Sequence, residues 1–376
     1  MTHYTSCTSE QRFDTVVVGG GQAGLAMGYF LARQGRDFVI LDAAGRIGDT
    51  WRHRWDSLRL FTPAFHSGLP GMPFPAPGAS FPTKDEVADY LTQYAERFAL
   101  PVRHGRRVEA LSRHDGGYLL RAGEERYVAA RVVVATGPYQ HPHLPDFAVG
   151  LDPTIVQLHS SAYRHPGQLP AGDALVVGAG SSGAEIAVEL AATRRTYLAG
   201  RDTGYIPLGL VHNHLSLWLA DHVLTTDTWL GRKMSAAHRE RGAPLVRLKA
   251  KDIAAAGVDR VPRVDGVADG RPRLADGRRL DVPVVVWATG FRPDFSWIDL
   301  PIFDDSGSPL HHRGVVDTAP GLYFLGLPFQ HTPTSEHIGG VGKDARHVAA
   351  HLAASVSIRP ARWRGDRHLM GAEQRA

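Results

Sequence analysis

The 376-residue chain contains a single cysteine, Cys7, in a polar N-terminal stretch. One thiol cannot form an intrachain disulfide, a CxxC redox pair or a cysteine zinc site, so oxidoreductases that work through a dithiol are excluded. No apolar run approaches the ~18 residues of a membrane span. Residues 1–10 lack the apolar core of a secretory signal, and the expected location is the cytoplasm. Lysine is scarce, with only Lys84, Lys233, Lys249, Lys251 and Lys343, so the net charge of +4 is carried mainly by arginine. The arginines are scattered, with short clusters at 103–107 and 271–279, and no aromatic platform accompanies them, so no nucleic-acid partner is expected. There is no GxSxG nucleophile elbow. The histidine pairs at 141/143, 212/214 and 311/312 have no carboxylate or cysteine set to complete a zinc site. They read as surface or interdomain histidines, and no metal is expected. A hydrophobic fraction of 43% with 21% charged residues excludes a disordered chain. The length suits two or three domains of roughly 100–200 residues each.

What the chain does have is glycine in a phosphate-binding pattern, twice. Residues 13–18 form an apolar, β-branched run that reads as a strand. It ends in Gly19-Gly20-Gly21-Gln22-Ala23-Gly24, a GxGxxG. Helix formers follow over 22–34, Gly35 marks the helix end, and a second strand at 37–41 closes on Asp42. In this pattern Gly19 permits the turn, Gly21 lets the backbone approach a pyrophosphate, and Gly24 lets the helix pack on the strand. The helix start supplies free N–H groups and positive potential. Asp42 lies 23 positions after Gly19, near the ~20 expected for a carboxylate that accepts from ribose hydroxyls.

The second copy has a strand at 174–177, then Gly178-Ala179-Gly180-Ser181-Ser182-Gly183, a helix over 184–192 and a strand at 196–199. Here the acid is replaced: Arg201 lies 23 positions after Gly178. A cation at this place favours a 2′-phosphate, hence NADPH over NADH. By analogy with chains of this build, the first unit suits FAD and the second the nicotinamide donor. Two further segments match one another: residues 131–137 end in Ala135-Thr136-Gly137, and residues 284–290 end in Ala288-Thr289-Gly290. They bracket residues 142–283 as if they were the two crossings between a discontinuous outer domain and an inserted one. A buried strand at 321–326 then leads to a final helix over 343–354, and 359–376 reads as a loose tail. The expected fold is therefore α/β, with two Rossmann-like dinucleotide-binding domains, the NADPH domain inserted into a discontinuous FAD domain. The expected boundaries are 1–165, 166–289 and 290–376.

At this point the chain resembles the flavin-containing monooxygenases, over residues 13–354, and within them the short bacterial branch often described as flavoproteins linked to cation transport. The resemblance rests on Ile47-Gly48-Asp49-Thr50-Trp51, on Ser57-Leu58-Arg59-Leu60-Phe61-Thr62-Pro63, on Met72-Pro73-Phe74-Pro75, on His159-Ser160-Ser161-Ala162-Tyr163 and on Ala288-Thr289-Gly290-Phe291-Arg292-Pro293. It implies cofactor contacts at Gly19, Gly21, Gln22, Ala23, Gly24, Asp42, Thr50, Trp51, Val108, Thr136, Gly137, His159 and Tyr163. In the second unit it implies Gly178, Gly180, Ser181, Ser182, Gly183, Arg201, Thr289 and Gly290, and Ile338 follows at the final helix. Catalytic positions would be Trp51 and Phe61. Of the family's FxGxxxHxxx fingerprint only His159 and Tyr163 remain, since Pro153 and Ile155 occupy the Phe and Gly positions. His159 can also be read as a loop histidine that packs between domains. The family stretch Ser-Leu-Arg-Thr-Asn-Thr-Pro carries an Asn that supports the oxygenated flavin, and here Phe61 stands in its place.

The activity so implied is an FAD- and NADPH-dependent monooxygenase that oxygenates a small nucleophile at nitrogen or sulfur through a flavin C4a-peroxide. The partners implied are a small-molecule substrate and O2, and a homodimer is a further expectation. Two alternatives stay open: an NADPH oxidase or reductase passing electrons to O2 or an external acceptor, and a redox-sensing partner of a cation transporter. The aromatic, His-rich segment 208–230 reads as substrate-pocket wall, oligomer contact or plain packing.

Overall fold

The computed structural model describes residues 10–241 and 244–355, so Cys7 and the tail expected over 359–376 lie outside the described residues. Two sheets organise the chain, the first mixed and the second all parallel. The first begins with β1 (Glu10–Val18), α1 (Gln22–Arg33) and β2 (Phe38–Leu41). It continues through α2 (Asp49–Arg52), α3 (Lys84–Arg97), β3 (Val102–Arg103), β4 (Ala110–His114), β5 (Gly117–Ala122) and β6 (Glu125–Val134). Its order is β3-β2-β1-β6-β5-β4, with β5 antiparallel to both β4 and β6. β7 (His141–Pro142) leads out of it. The second sheet holds β8 (Val156–His159), β9 (Ala174–Val177), β10 (Thr196–Ala199) and β11 (Val258–Val261), with α4 (Ser181–Ala191) after β9. Between β10 and β11 stand α5 (Leu208–Val211), α6 (His214–His222), α7 (Trp229–Arg241) and α8 (Ala250–Ala255). A hairpin of β12 (Val264–Ala268) and β13 (Arg271–Leu274) precedes β14 (Val284–Trp287), and the second sheet runs β11-β10-β9-β14-β8.

The chain returns through β15 (Phe291–Arg292), which pairs antiparallel with β7, so the two crossings between the sheets are hydrogen-bonded to each other. β16 (Leu322–Phe324) then joins the first sheet beside residues 132–134 of β6, and α9 (Ile338–Ala354) packs along α1. β8 precedes the expected boundary at 165, yet it is paired to β14 in the second sheet.

Both central strands are covered on both faces, which is why they read as unbroken apolar runs. Val17 points into one core with Leu25, Ile40 and Val341, whereas Val16 and Val18 point into another with Leu120 and Phe324. β9 repeats this: Ala174 and Val176 face Ile186 and Val286, and Leu175 and Val177 face Trp287. The period of two follows from the strand pleat. α3 starts with a capping box, Glu86 N–H donating to Thr83 Oγ1 at 3.2 Å and Thr83 N–H to Glu86 Oε2 at 2.7 Å.

Two features differ from the sequence reading. The hairpin of β4 and β5 was not anticipated, although its turn is a readable signal: Asp115 and Gly116 have φ of 46° and 77°, the positive pair of a tight hairpin. The final helix begins at Ile338, five residues before the expected 343. Gly339 and Gly340 suggest a loop, but each is required inside the helix by close packing. A Cβ on Gly339 would lie 1.9 Å from the His66 carbonyl oxygen, and one on Gly340 would lie 1.9 Å from that of Thr334.

Candidate functional site

The glycine turns have the same geometry in both sheets. Gly19 and Gly178 adopt φ of 112° and 108°, a region that disfavours side chains, and a Cβ would strike the carbonyl oxygens of Ala135 and Ala288 at 2.4 and 2.2 Å. Thus each turn is braced against the Ala-Thr-Gly segment of its own sheet. Gly24 and Gly183 each sit where a Cβ would come within 1.8 Å of the turn's own first carbonyl, which fixes the helix on the strand. In contrast, Gly21 and Gly180 face open space, with nothing within 4 Å of a Cβ. Neither α1 nor α4 has a side-chain cap, so the first N–H groups of both helices are left for a ligand. These are the requirements of a pyrophosphate cradle, and both turns meet them.

A deep cleft opens at the first turn. It is lined by Gly19, Gly21, Gln22, Ala23, Asp42, Thr50, Trp51, Phe61, Thr136, Gly137 and Ile338. Gly24 lies behind them, buried under the turn. Asp42 accepts from the Ala44 N–H at 3.3 Å, and burial pushes its carboxyl above the usual range against the pull of backbone donors. Phe61 meets His337 edge to face, ring centroids 5.0 Å apart, and His337 precedes α9. The starts of α1 and α9 are tied by Gln22, whose Nε2 donates to the Glu336 carbonyl at 3.2 Å. Trp51 packs against the cores of both sheets.

Several expected residues lie elsewhere. Val108, two residues before β4, is buried in the core with Leu111 and Tyr118 and is not among the residues that line the cleft. Tyr163, expected as a cofactor contact, is fully buried, and its hydroxyl donates to Glu189 Oε2 at 2.9 Å. His159 ends β8 with both ring nitrogens engaged by protein. Nε2 meets the Gly290 carbonyl at 2.9 Å and Nδ1 accepts from the Ser161 N–H at 3.2 Å, and burial holds the imidazole below its usual range. A neutral ring with Nε2–H fits both bonds. Thr289 donates its hydroxyl to the His143 carbonyl, and Gly290 has φ of 82°. Ser181 and Ser182 begin α4 at the second turn. Arg201 is exposed, just after Gly200, whose φ of 146° and closeness to Ala179 hold the loop against the turn. Arg260, which sequence reasoning missed, reaches the same loop, donating to the Gly200 carbonyl at 3.1 Å.

A cluster where the cleft meets a second cavity was also missed. Tyr139 follows the first Ala-Thr-Gly turn and Phe291 the second, and their rings meet edge to face at 5.5 Å. Tyr139 donates to Glu336 Oε2 at 3.2 Å, and burial pushes the Glu336 carboxyl up toward its neutral form. Arg54 lies over both rings. Tyr139 and Glu336 also line a second cavity, with Phe291, Phe303, His311 and Phe329. The segment 208–230 contributes Thr226 and Asp227 to that cavity. Its Trp218 and Trp229, however, are 52% and 69% exposed, so packing does not account for them. Among the described residues no three His, Cys, Asp or Glu side chains converge as a metal site would require, and no helix is long and apolar enough to cross a membrane.

Comparison with known proteins agrees with this geometry. The family model described as pyridine nucleotide-disulphide oxidoreductase matches residues 16–326. An uncharacterized CzcO-like oxidoreductase of Geobacillus kaustophilus is 42% identical over 341 residues, 89% of this chain and 97% of that protein. The probable indole-3-pyruvate monooxygenase YUCCA3 of Arabidopsis thaliana is 28% identical over 388 residues, 90% of this chain and 86% of the plant protein. Among solved structures, a flavin-containing monooxygenase from Stenotrophomonas maltophilia superposes with a TM-score of 0.75 at 30% identity, covering 92% of this chain and all of that one.

Proposed function

We propose, for a chain that belongs to the pyridine nucleotide-disulphide oxidoreductase family and is a flavin monooxygenase-like oxidoreductase, that it is a cytoplasmic FAD- and NADPH-dependent monooxygenase acting on a small nucleophile at nitrogen or sulfur. The observation that carries the reading is the pair of glycine turns, each with its middle glycine facing open space above an uncapped helix start. With Cys7 as its only cysteine the chain has no dithiol of its own to relay electrons, in spite of the family's name.

Bound FAD and NADPH supply the redox and oxygen-transfer chemistry. The reaction they would support consumes one NADPH, one proton and one O2 for each oxygen atom placed in the substrate, with NADP+ and water as the other products. The protein's own part is to bind, orient and exclude water. The first turn and the start of α1 hold the FAD pyrophosphate, and Asp42 accepts from its ribose. The second turn and α4 hold NADPH. Phe61 and His337 wall the cleft beside the start of α9 and shield the reacting region from water. Under this reading the FAD unit comprises the first sheet with α9, and the NADPH unit comprises the second sheet, β8 included. Detection of labelled oxygen in the product, after turnover of amines and thioethers under isotopically labelled dioxygen, tests the reading directly. Unlabelled substrates throughout would refute it.

Arg201 sets the nucleotide preference in this account. A guanidinium on a 2′-phosphate contributes about 1.5–3 kcal/mol. Arg201→Ala should therefore raise the KM for NADPH roughly ten- to hundredfold and leave that for NADH nearly unchanged. The neighbouring Arg260 sets the residual preference. Equal losses for both nucleotides would assign Arg201 a structural role.

The oxidase alternative draws on one specific observation: Phe61 puts an apolar ring where the resembling family carries a hydrogen-bonding Asn. Loss of a bond to a strongly polar state costs about 1.5–3 kcal/mol, whereas a drier wall strengthens the remaining interactions. The first effect should dominate, so part of the NADPH is spent on hydrogen peroxide. Phe61→Asn should lower that share several-fold, measured as peroxide formed per NADPH oxidised; an unchanged or larger share would contradict the assignment.

A further inference from the structure

The neck between the two cavities holds a cation. Arg54 lines the cofactor cleft, and its guanidinium carbon lies 5.7 Å from the ring centroid of Tyr139 and 5.3 Å from that of Phe291. Among the described residues no carboxylate pairs with it. The charged group that it feels is another guanidinium, Arg164. Arg164 in turn donates to the carbonyl oxygens of Ser161 and Tyr163, which are neutral acceptors. The carboxyl of the neck, Glu336, accepts from the Tyr139 hydroxyl and makes no ion pair with Arg54, and burial pushes it above the usual carboxylate range. His159 lies edge-on to Phe291 at 4.9 Å, and burial holds its imidazole below the usual range.

Two neighbouring cations in a partly desolvated neck repel each other, and burying a charge without a partner is costly. Such an arrangement is expected where a ligand brings the missing anion. The aromatic rings add the rest: each offers a face to a cation, and together they hold the guanidinium at the point where the turns of the two sheets converge.

We propose that Arg54 is a binding residue for an anionic oxygen, carboxylate or phosphate, at the neck between the two cavities. The inference rests on the function proposed above and extends it. Two sources carry this chemistry: the carboxylate of an organic acid substrate entering from the second cavity, or the diphosphate of the nicotinamide dinucleotide reaching from the second glycine turn. Arg suits either, since its planar fork binds both groups through two parallel hydrogen bonds.

The test uses the FAD-loaded protein and its Arg54→Met and Arg54→Lys variants. Each is titrated with benzoate, inorganic pyrophosphate and NADP+, and binding is followed by the flavin absorbance. The wild type should bind at least one of these anions. Arg54→Met should bind it at least roughly tenfold more weakly, with part of the affinity restored in Arg54→Lys, as expected for a charge-assisted contact. Loss for pyrophosphate and NADP+ with benzoate unchanged identifies the dinucleotide as the source; loss for benzoate alone identifies a substrate carboxylate. If Arg54→Met does not fold, Arg54→Gln with a normal melting temperature takes its place. Wild-type protein that binds none of the three, or a folded neutral variant that binds all of them as the wild type does, overturns the proposal. A protein that takes up no FAD and oxidises no NADPH contradicts the proposed function instead, so the two failures are told apart.

Discussion

Gly21→Val should yield a folded but colourless protein. The backbone at Gly21 has φ of −79° and ψ of −170°, which any residue adopts, and no protein atom lies within 4 Å of a Cβ there. The fold therefore has no reason to resist the side chain. The pyrophosphate does, because the space the valine fills is the space the phosphates need against the first N–H groups of α1. Losing two charge-assisted hydrogen bonds at about 1.5–3 kcal/mol each weakens FAD by roughly two to four orders of magnitude. The ratio of flavin to protein absorbance in the purified variant reads this, and its melting temperature with and without added FAD shows that the apo fold persists. Gly24→Ala is the contrasting case. Its methyl would sit 1.8 Å from the Gly19 carbonyl oxygen, so helix and strand must part and the fold itself is lost. A yellow Gly21→Val protein would mean that FAD does not lie on this turn.

Gly180→Val should separate the two cofactors. The second turn has the same extended backbone, φ −74° and ψ −176°, and the same open space. The variant should keep FAD, and its yellow colour, while NADPH oxidation falls at least roughly hundredfold in kcat/KM as the dinucleotide loses its cradle. Reduction of the flavin by dithionite should be unaffected, which shows that the first site is intact. Loss of FAD together with NADPH activity would instead mean that the two turns serve one site.

These two expectations rest on features that the sequence displays, because a glycine turn is a local steric solution: its parts lie within six residues and each has a fixed task. The same holds for Asp42 and Arg201, which stand one strand beyond their turns. The neck is different. Arg54, Tyr139, Phe291 and Glu336 come from four distant segments with no shared period, and only the convergence of the two Ala-Thr-Gly turns brings them together. The surroundings of Tyr163 are hidden for a similar reason: Glu189, which takes its hydroxyl, lies on α4, 26 residues further along the chain. The start of α9 was hidden because Gly339 and Gly340 signal a loop by propensity, whereas their need is set by His66 and Thr334, remote in the sequence.

The central claim, that electrons from NADPH put oxygen into a small nucleophile, is tested most directly by stoichiometry. NADPH oxidised, oxygenated product formed and hydrogen peroxide released are measured together in the FAD-loaded protein, across a panel of amines and thioethers. The account predicts that product and peroxide together equal the NADPH consumed, with both present and the product share rising for the preferred substrate. NADPH consumed entirely as peroxide with every nucleophile, or not consumed at all by the yellow protein, would contradict it.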